Sequence, residues 1–228
     1  MVKVKGEIKI KTKNLIIISC ILLILYPAQS FAFPIRNVKD RKILRAALTF
    51  DDGPKDGYTG ELLSVLREKK VKATFFLLGI DIQLRSGDVK KIAADGHVIA
   101  NHSMTHRNMK NLTYDEIRAE LKDCSDLLES ITGKRPRFMR PPGGQYNSNV
   151  FKACNAEKLI PVFWTNNPGD YRDNWKTARA LSRRVINQRK NGDIILLHLG
   201  LPITVEALSA IIDSYHRAGY RFITLDEI

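Results

Sequence analysis

The chain has 228 residues, is 44% hydrophobic and 27% charged, and carries a formal charge of +13. That mixture fits one large domain or two small ones and argues against a disordered chain. No basic run is interleaved with aromatics, so nucleic acid is set aside as a partner; the excess charge serves solubility or attraction to an anionic surface such as a cell wall.

The N-terminus stands apart. Lys3, Lys5, Lys9, Lys11 and Lys13 precede an apolar run from Leu15 to Tyr26, and Pro27 and small residues around Ser30 and Ala32 follow. This is the layout of a secretory signal over residues 1–32, with a candidate cleavage after Ala32. The run is short against the about 20 residues of a bilayer span, so export is favoured over a retained anchor, the one membrane contact expected. Cleavage would remove five lysines and one glutamate, leaving about +9. Of the cysteines, Cys20 lies in the apolar run, while Cys124 and Cys154 fall in helix-like stretches and read as buried thiols.

Residues 33–45 read as a basic stem, and strand-like and helix-like segments alternate beyond it. Strands are predicted at Ala46–Phe50, Ala73–Leu78, His97–Ala100, Phe138–Met139, Leu159–Thr165, Asp193–Leu197 and Arg221–Leu225. Helices are predicted at Thr59–Lys70, Val89–Asp95, Ser148–Ala156, Lys176–Lys190 and Val205–Ala218. The longest helix starts at the N-cap Thr113, with Glu116 three residues on, and stops near Gly133. Continuous apolar strands alternating with helices specify a parallel sheet wrapped by helices. About seven strands over residues 46–228 are too few for a full eight-fold barrel, and no nucleotide-binding glycine fingerprint follows the first strand. The expected fold is a deformed (β/α) barrel. Its unusual polar residues follow strands and would share one rim, where such barrels place their active sites.

Two of these stand together at the end of the first strand, Asp51 and Asp52, where alternation sends neighbouring side chains to opposite faces. His102-Ser103-Met104-Thr105-His106 adds two imidazoles four positions apart, which one helical turn would bring to one face. Asp51-Asp52 would also serve as a plain turn cap, and a lone pair of histidines at this spacing is weak evidence. One Asp with two His, however, is the three-ligand, open-position set of a catalytic zinc site. Zn²⁺ suits these donors, with Co²⁺, Mn²⁺ or Ni²⁺ as alternatives.

Thr49-Phe50-Asp51-Asp52-Gly53-Pro54 and His102–His106 resemble the first two motifs of the polysaccharide deacetylases with a NodB homology domain (carbohydrate esterase family 4). Arg140-Pro141-Pro142-Gly143-Gly144 is similar to the third, Asp170-Tyr171 to the fourth and Leu196-Leu197-His198 to the fifth. The resemblance spans about residues 46–228 and implies the same deformed barrel. It further implies that Asp52, His102 and His106 bind the metal and that Asp51, paired with Arg140, is the base. His198 would be the acid, oriented by Asp170, with the Gly143 backbone N–H at the oxyanion and Leu196 and Tyr171 walling the acetyl methyl group. Three positions depart from the family pattern: Gly143 replaces an aromatic, Tyr171 a tryptophan and Leu199 an aspartate. All three border the substrate and none removes a catalytic group.

The function expected is an exported, monomeric metal-dependent N-deacetylase of a β-linked amino-sugar polymer. Peptidoglycan N-acetylglucosamine ranks first, chitin oligosaccharides second and acetylated xylan third; the N-acetylmuramic residue stays open. The competing readings are a catalytically silent wall-binding protein and an acidic-sugar-binding module. Trp164 and Trp175 read at least as well as core residues as sugar platforms, and His97 and His216 read as structural.

Overall fold

The computed structural model describes residues 33–40, 42–172 and 177–228; residues 1–32, Asp173 and Trp175 lie outside the described residues. β1 (Arg45–Asp51) is the centre of the fold. It pairs in parallel with β2 (Thr74–Leu77) on one side and with β6 (Asp193–His198) on the other. The sheet continues through β3 (Val98–Asn101), β4 (Phe138–Met139) and β5 (Ile160–Pro161), giving the order β5-β4-β3-β2-β1-β6. β7 (Arg221–Phe222) pairs with the start of β1. Every one of these pairings is parallel, and the sheet curls into a partial barrel.

Helices α1 (Tyr58–Glu68), α2 (Gly79–Leu84), α3 (Ser86–Ala94), α4 (Tyr114–Thr132), α5 (Ser148–Ala156), α6 (Ala178–Asn187) and α7 (Pro202–Arg217) wrap it. The alternation along β1 sorts its side chains. Ala46, Leu48 and Phe50 pack outward against Leu62, Leu66, Leu181 and Leu208 of the helices. Ala47 faces an inner cluster with Phe76, Ala100, Phe138, Val162 and Ile194. Thr49 and Asp51 share the parity of Ala47, so the strand that closes the core also carries a carboxylate to the barrel's mouth.

α4 begins and ends where its sequence requires. Thr113 and Glu116 form a reciprocal capping box, and Gly133 closes the helix in the left-handed region at φ 70°. Cys124 and Cys154 are buried free thiols, as expected.

Several boundaries differ from the expectation. The strand predicted over Leu159–Thr165 contracts to Ile160–Pro161. Pro161 has no N–H to give a ladder, and Val162 bridges instead to Ile35. Ile35 and the buried Val38 thereby draw residues 33–40 onto the barrel, with the Val38 N–H donating to the Gly192 carbonyl at 2.8 Å, so this stretch is more than a stem. The predicted Arg221–Leu225 strand stops at Phe222, because Thr224 and Glu227 cap a 3₁₀ turn over Leu225–Glu227. α2 was not predicted; at six residues it is too short for a helical periodicity to show. No helix among the described residues is long and apolar enough to cross a membrane.

Candidate active site

The register fixes which side chains meet. Asp51 lies opposite His198 across β1 and β6, and Asn101, just before His102, lies opposite Met139, just before Arg140. The carboxyl ends of β1, β3, β4 and β6 therefore deliver Asp51, His102, Arg140 and His198 to one rim. A cavity of about 310 Å³ opens there, lined by Asp51, Asp52, His102, His106, Gly143, Trp164, Asn167, Tyr171, Leu196 and His198.

Arg140 is wholly buried, and each of its three side-chain nitrogens donates a hydrogen bond. Nη1 donates to Asp51 Oδ1 at 2.6 Å and to the Thr49 hydroxyl at 3.0 Å, while Nε and Nη2 donate to the Val162 and Phe163 carbonyls, both at 3.3 Å. Its guanidinium lies 4.1 Å from the centre of the Phe76 ring. Burial draws the guanidinium's pKa down against the opposing charge of Asp51, yet an arginine remains protonated in proteins. Asp51 is thus pinned through one oxygen, leaving Oδ2 on the side of His102, 3.8 Å from its Nε2.

The two histidines are not on a helix, contrary to the expectation. They sit on a loop after β3 in which Ser103 and His106 take φ of 71° and 60°, with Asp52 at 68° on the facing loop. The loop still meets the spacing requirement by folding back, since the His106 N–H donates to Ser103 Oγ at 3.0 Å and the Ser103 N–H to Asn101 Oδ1 at 2.7 Å. Left-handed backbone costs about 1–2 kcal/mol per non-glycine residue, and here three such residues converge on one spot.

His102 Nδ1 donates to the Arg140 carbonyl at 2.8 Å, which settles the tautomer and leaves Nε2 as a lone pair. Burial holds its pKa below the usual imidazole range, opposed by Asp51 and Asp52, so the ring is neutral and able to ligate. Asp52 Oδ1 is buried without a hydrogen-bond partner, 3.7 Å from His102 Nε2 and 3.5 Å from His106 Nε2. One ligand atom from each of the three lies within 4.8 Å of the others. Two ligands about 2.1 Å from a tetrahedral ion stand roughly 3.4 Å apart. The orphaned oxygen, the bare nitrogen and these separations fit a divalent cation.

Across the pocket, Asp170 is the aspartate that reaches His198. Oδ1 accepts from His198 Nδ1 at 2.8 Å, and Oδ2 accepts from the His198 N–H and the Thr204 hydroxyl, each at 2.7 Å. Burial alone would lower the imidazole's pKa; the hydrogen bond and charge of Asp170, with Asp51 and Asp52 further off, more than reverse it, and the net direction is up. Tyr171 packs edge-on against His198, ring centres 5.0 Å apart, and Leu196 lies buried beneath. Trp164 and Asn167, not singled out as site residues from the sequence, complete the wall. Gly144 makes room for Trp164: a Cβ there would lie 2.6 Å from its ring. A triad whose geometry fits a cation, flanked by an Arg-anchored carboxylate and an Asp-anchored imidazole, is an arrangement suited to hydrolysis with separate base and acid.

Comparison with known proteins narrows that class. The sequence profile of the polysaccharide deacetylase family matches residues 38–159. The chain is 35% identical over 187 residues to a peptidoglycan-N-acetylglucosamine deacetylase of Bacillus cereus, covering 80% of this chain and 86% of that one. It is 33% identical over 199 residues to the peptidoglycan-N-acetylmuramic acid deacetylase PdaA of Bacillus subtilis, covering 86% and 74%. Among solved structures, a CE4 family pseudoenzyme from Bacillus anthracis matches with a TM-score of 0.81 at 29% identity, over 86% of this chain and 68% of that one. A mutant of it with restored enzymatic activity matches with the same score at 31% identity, over 86% and 71%. The chain belongs to the polysaccharide deacetylase family, and its curled sheet is that family's deformed (β/α) barrel.

Proposed function

We propose that this protein is a metal-dependent hydrolase that removes N-acetyl groups from peptidoglycan, N-acetylglucosamine being the first substrate and N-acetylmuramic acid the second. The observation that carries the reading is the convergence of Asp52, His102 and His106 between Asp51 and His198 on one rim. The two peptidoglycan deacetylases above support the polymer class, and the net positive charge of the chain suits an anionic wall.

Asp52, His102 and His106 would hold the ion, with zinc the first choice and cobalt, manganese or nickel the alternatives. When bound, it supplies a Lewis acid for the acetyl carbonyl and acidifies water. Asp51, fixed by Arg140, takes the proton of the attacking water through Oδ2. His198 has Nδ1 committed to Asp170, so Nε2 carries the proton it gives to the departing amine as the C–N bond breaks. Acetate and a free amino sugar result. The Gly143 backbone N–H would donate to the oxygen on which charge develops, and Leu196 and Tyr171 would wall the methyl group. Residues 1–32 would carry the chain out of the cytoplasm.

Acetate release from peptidoglycan, chitin oligomers and acetylated xylan, with and without chelator, tests the reading. Peptidoglycan should give the highest rate, chelator should abolish it, and Asp51→Asn should lower kcat by about 10²–10⁴-fold. A chelator-resistant rate, or one unchanged in Asp52→Ala, would overturn the metalloenzyme. Wall binding without any hydrolysis would favour a silent binding protein.

A further inference from the structure

We infer that Glu120, on α4, is a positioning residue that clamps the ligand-bearing loop and aims His106 at the metal position. The inference rests on the metal-site reading above. Glu120 is only 8% exposed. Its Oε2 accepts the Thr105 N–H at 2.8 Å and its Oε1 accepts the Thr105 hydroxyl, so the whole carboxylate is spent on the residue next to His106.

Two features make this more than local packing. First, Glu120 has no ion-pair partner among the described residues, and a buried carboxylate without a cation is an expensive way to satisfy one threonine. A neutral side chain would serve stability as well, whereas a charged acceptor gives the stronger and shorter bonds that a fixed geometry needs.

Second, the two histidine ligands are held unequally. His102 has 2% of its side chain exposed and its ring is locked through Nδ1, but His106 has 44% exposed and its ring makes no hydrogen bond among the described residues. Ligating histidines are ordinarily oriented through the second ring nitrogen. For His106 that task falls to the backbone, left-handed at this residue and tied to α4 from both ends of the loop. Glu120 holds Thr105 at one end. At the other, Asn101 receives the Ser103 N–H and donates to the Leu121 carbonyl at 2.8 Å and to Ser125 Oγ at 2.9 Å. The capped, 19-residue α4 is the rail to which the loop is bolted.

The test titrates the apo forms of the full chain with Zn²⁺ against a chromogenic chelator, with Co²⁺ absorption reporting site geometry and thermal unfolding of the apo forms run alongside. Glu120→Ala should weaken Zn²⁺ binding by about 10–100-fold and alter the Co²⁺ spectrum. Glu120→Gln, whose neutral amide oxygen still accepts the Thr105 N–H but less strongly, should recover only part of the affinity, and Thr105→Val, which keeps the N–H bond and loses the hydroxyl, should likewise bind more weakly than wild type. Leu127→Ala, on the same helix but facing the core, should lower Tm and leave the Zn²⁺ Kd unchanged. Should Glu120→Ala fail to fold, Glu120→Gln and Thr105→Val decide. Wild-type affinity in the Glu120 and Thr105 variants would overturn the clamp while leaving the metal site standing. Absence of Zn²⁺ binding in the wild type would overturn the metal site and the clamp with it.

Discussion

Arg140 and Asp170 do parallel work on opposite sides of the pocket: each is buried and hydrogen-bonded, and each fixes a neighbour to which the proposed reaction assigns a proton transfer. For His198 the consequence is measurable. Its imidazolium is sustained by Asp170 against burial, so the ring stays protonated to higher pH than an ordinary histidine. Activity that needs the protonated form falls as pH rises through this pKa. Asp170→Asn should therefore move the alkaline limb of kcat/KM to lower pH, besides reducing its height; a limb that stays in place would show that Asp170 does not set the titration. Arg140 and His198 were legible in the sequence because each sits in a compact motif at a strand end, and Asp170 because it stands in a short motif with Tyr171. Asn101 and Glu120 were not, since they join the histidine loop to α4 and only the folded backbone brings those partners near. Trp164 gave no decisive signal either, because a tryptophan at the end of an apolar run reads equally well as core.

Among the elements, the caps were the most readable: Thr113, Glu116 and Gly133 place α4 to the residue. The histidine loop was the least readable, because a spacing of four suggests a helical turn, and the side-chain bonds of Ser103, Asn101 and Glu120 stabilise the alternative. The entry to β3 shows a different economy. His97 lies edge-on to Phe75 of β2, and its Nδ1 accepts the Ala73 N–H at 3.1 Å. Burial, reinforced by the charge of Lys72, pushes its pKa from 6.5 to about 4. A histidine that folds in the neutral form contributes its stability fully above the unfolded value of 6.5 and loses it as pH falls toward about 4. His97→Gln retains an acceptor and cannot take a proton, so the drop in urea midpoint between pH 7.5 and pH 5 should shrink. An identical drop in both proteins would assign the acid lability elsewhere.

At the scale of the whole molecule, strand count and polarity were enough to predict an incomplete barrel, and the sheet order shows where it is incomplete. Between the strands at its two ends, β5 and β6, no ladder forms among the described residues; Asn166 makes one bridge to Ile195, and Ile35 extends β5's side at Val162. That use of residue 35 could not be read from a short basic stretch without periodicity. Every strand and both bridges among the described residues lie at or beyond Ile35. A chain beginning at residue 33 should therefore keep its Tm and turn over soluble N-acetylglucosamine oligomers within about twofold of the full chain. A truncated protein that aggregates or loses that turnover would place residues 1–32 within the folding unit.

The left-handed backbone at Asp52, Ser103 and His106 bears on ancestry as well as chemistry. Three of the five left-handed non-glycine residues among the described residues gather at the rim, and the hydrophobic clusters that hold the barrel lie beneath them. A lineage released from selection for catalysis could relax these positions with little thermodynamic penalty, and a few reversions would find the scaffold still waiting.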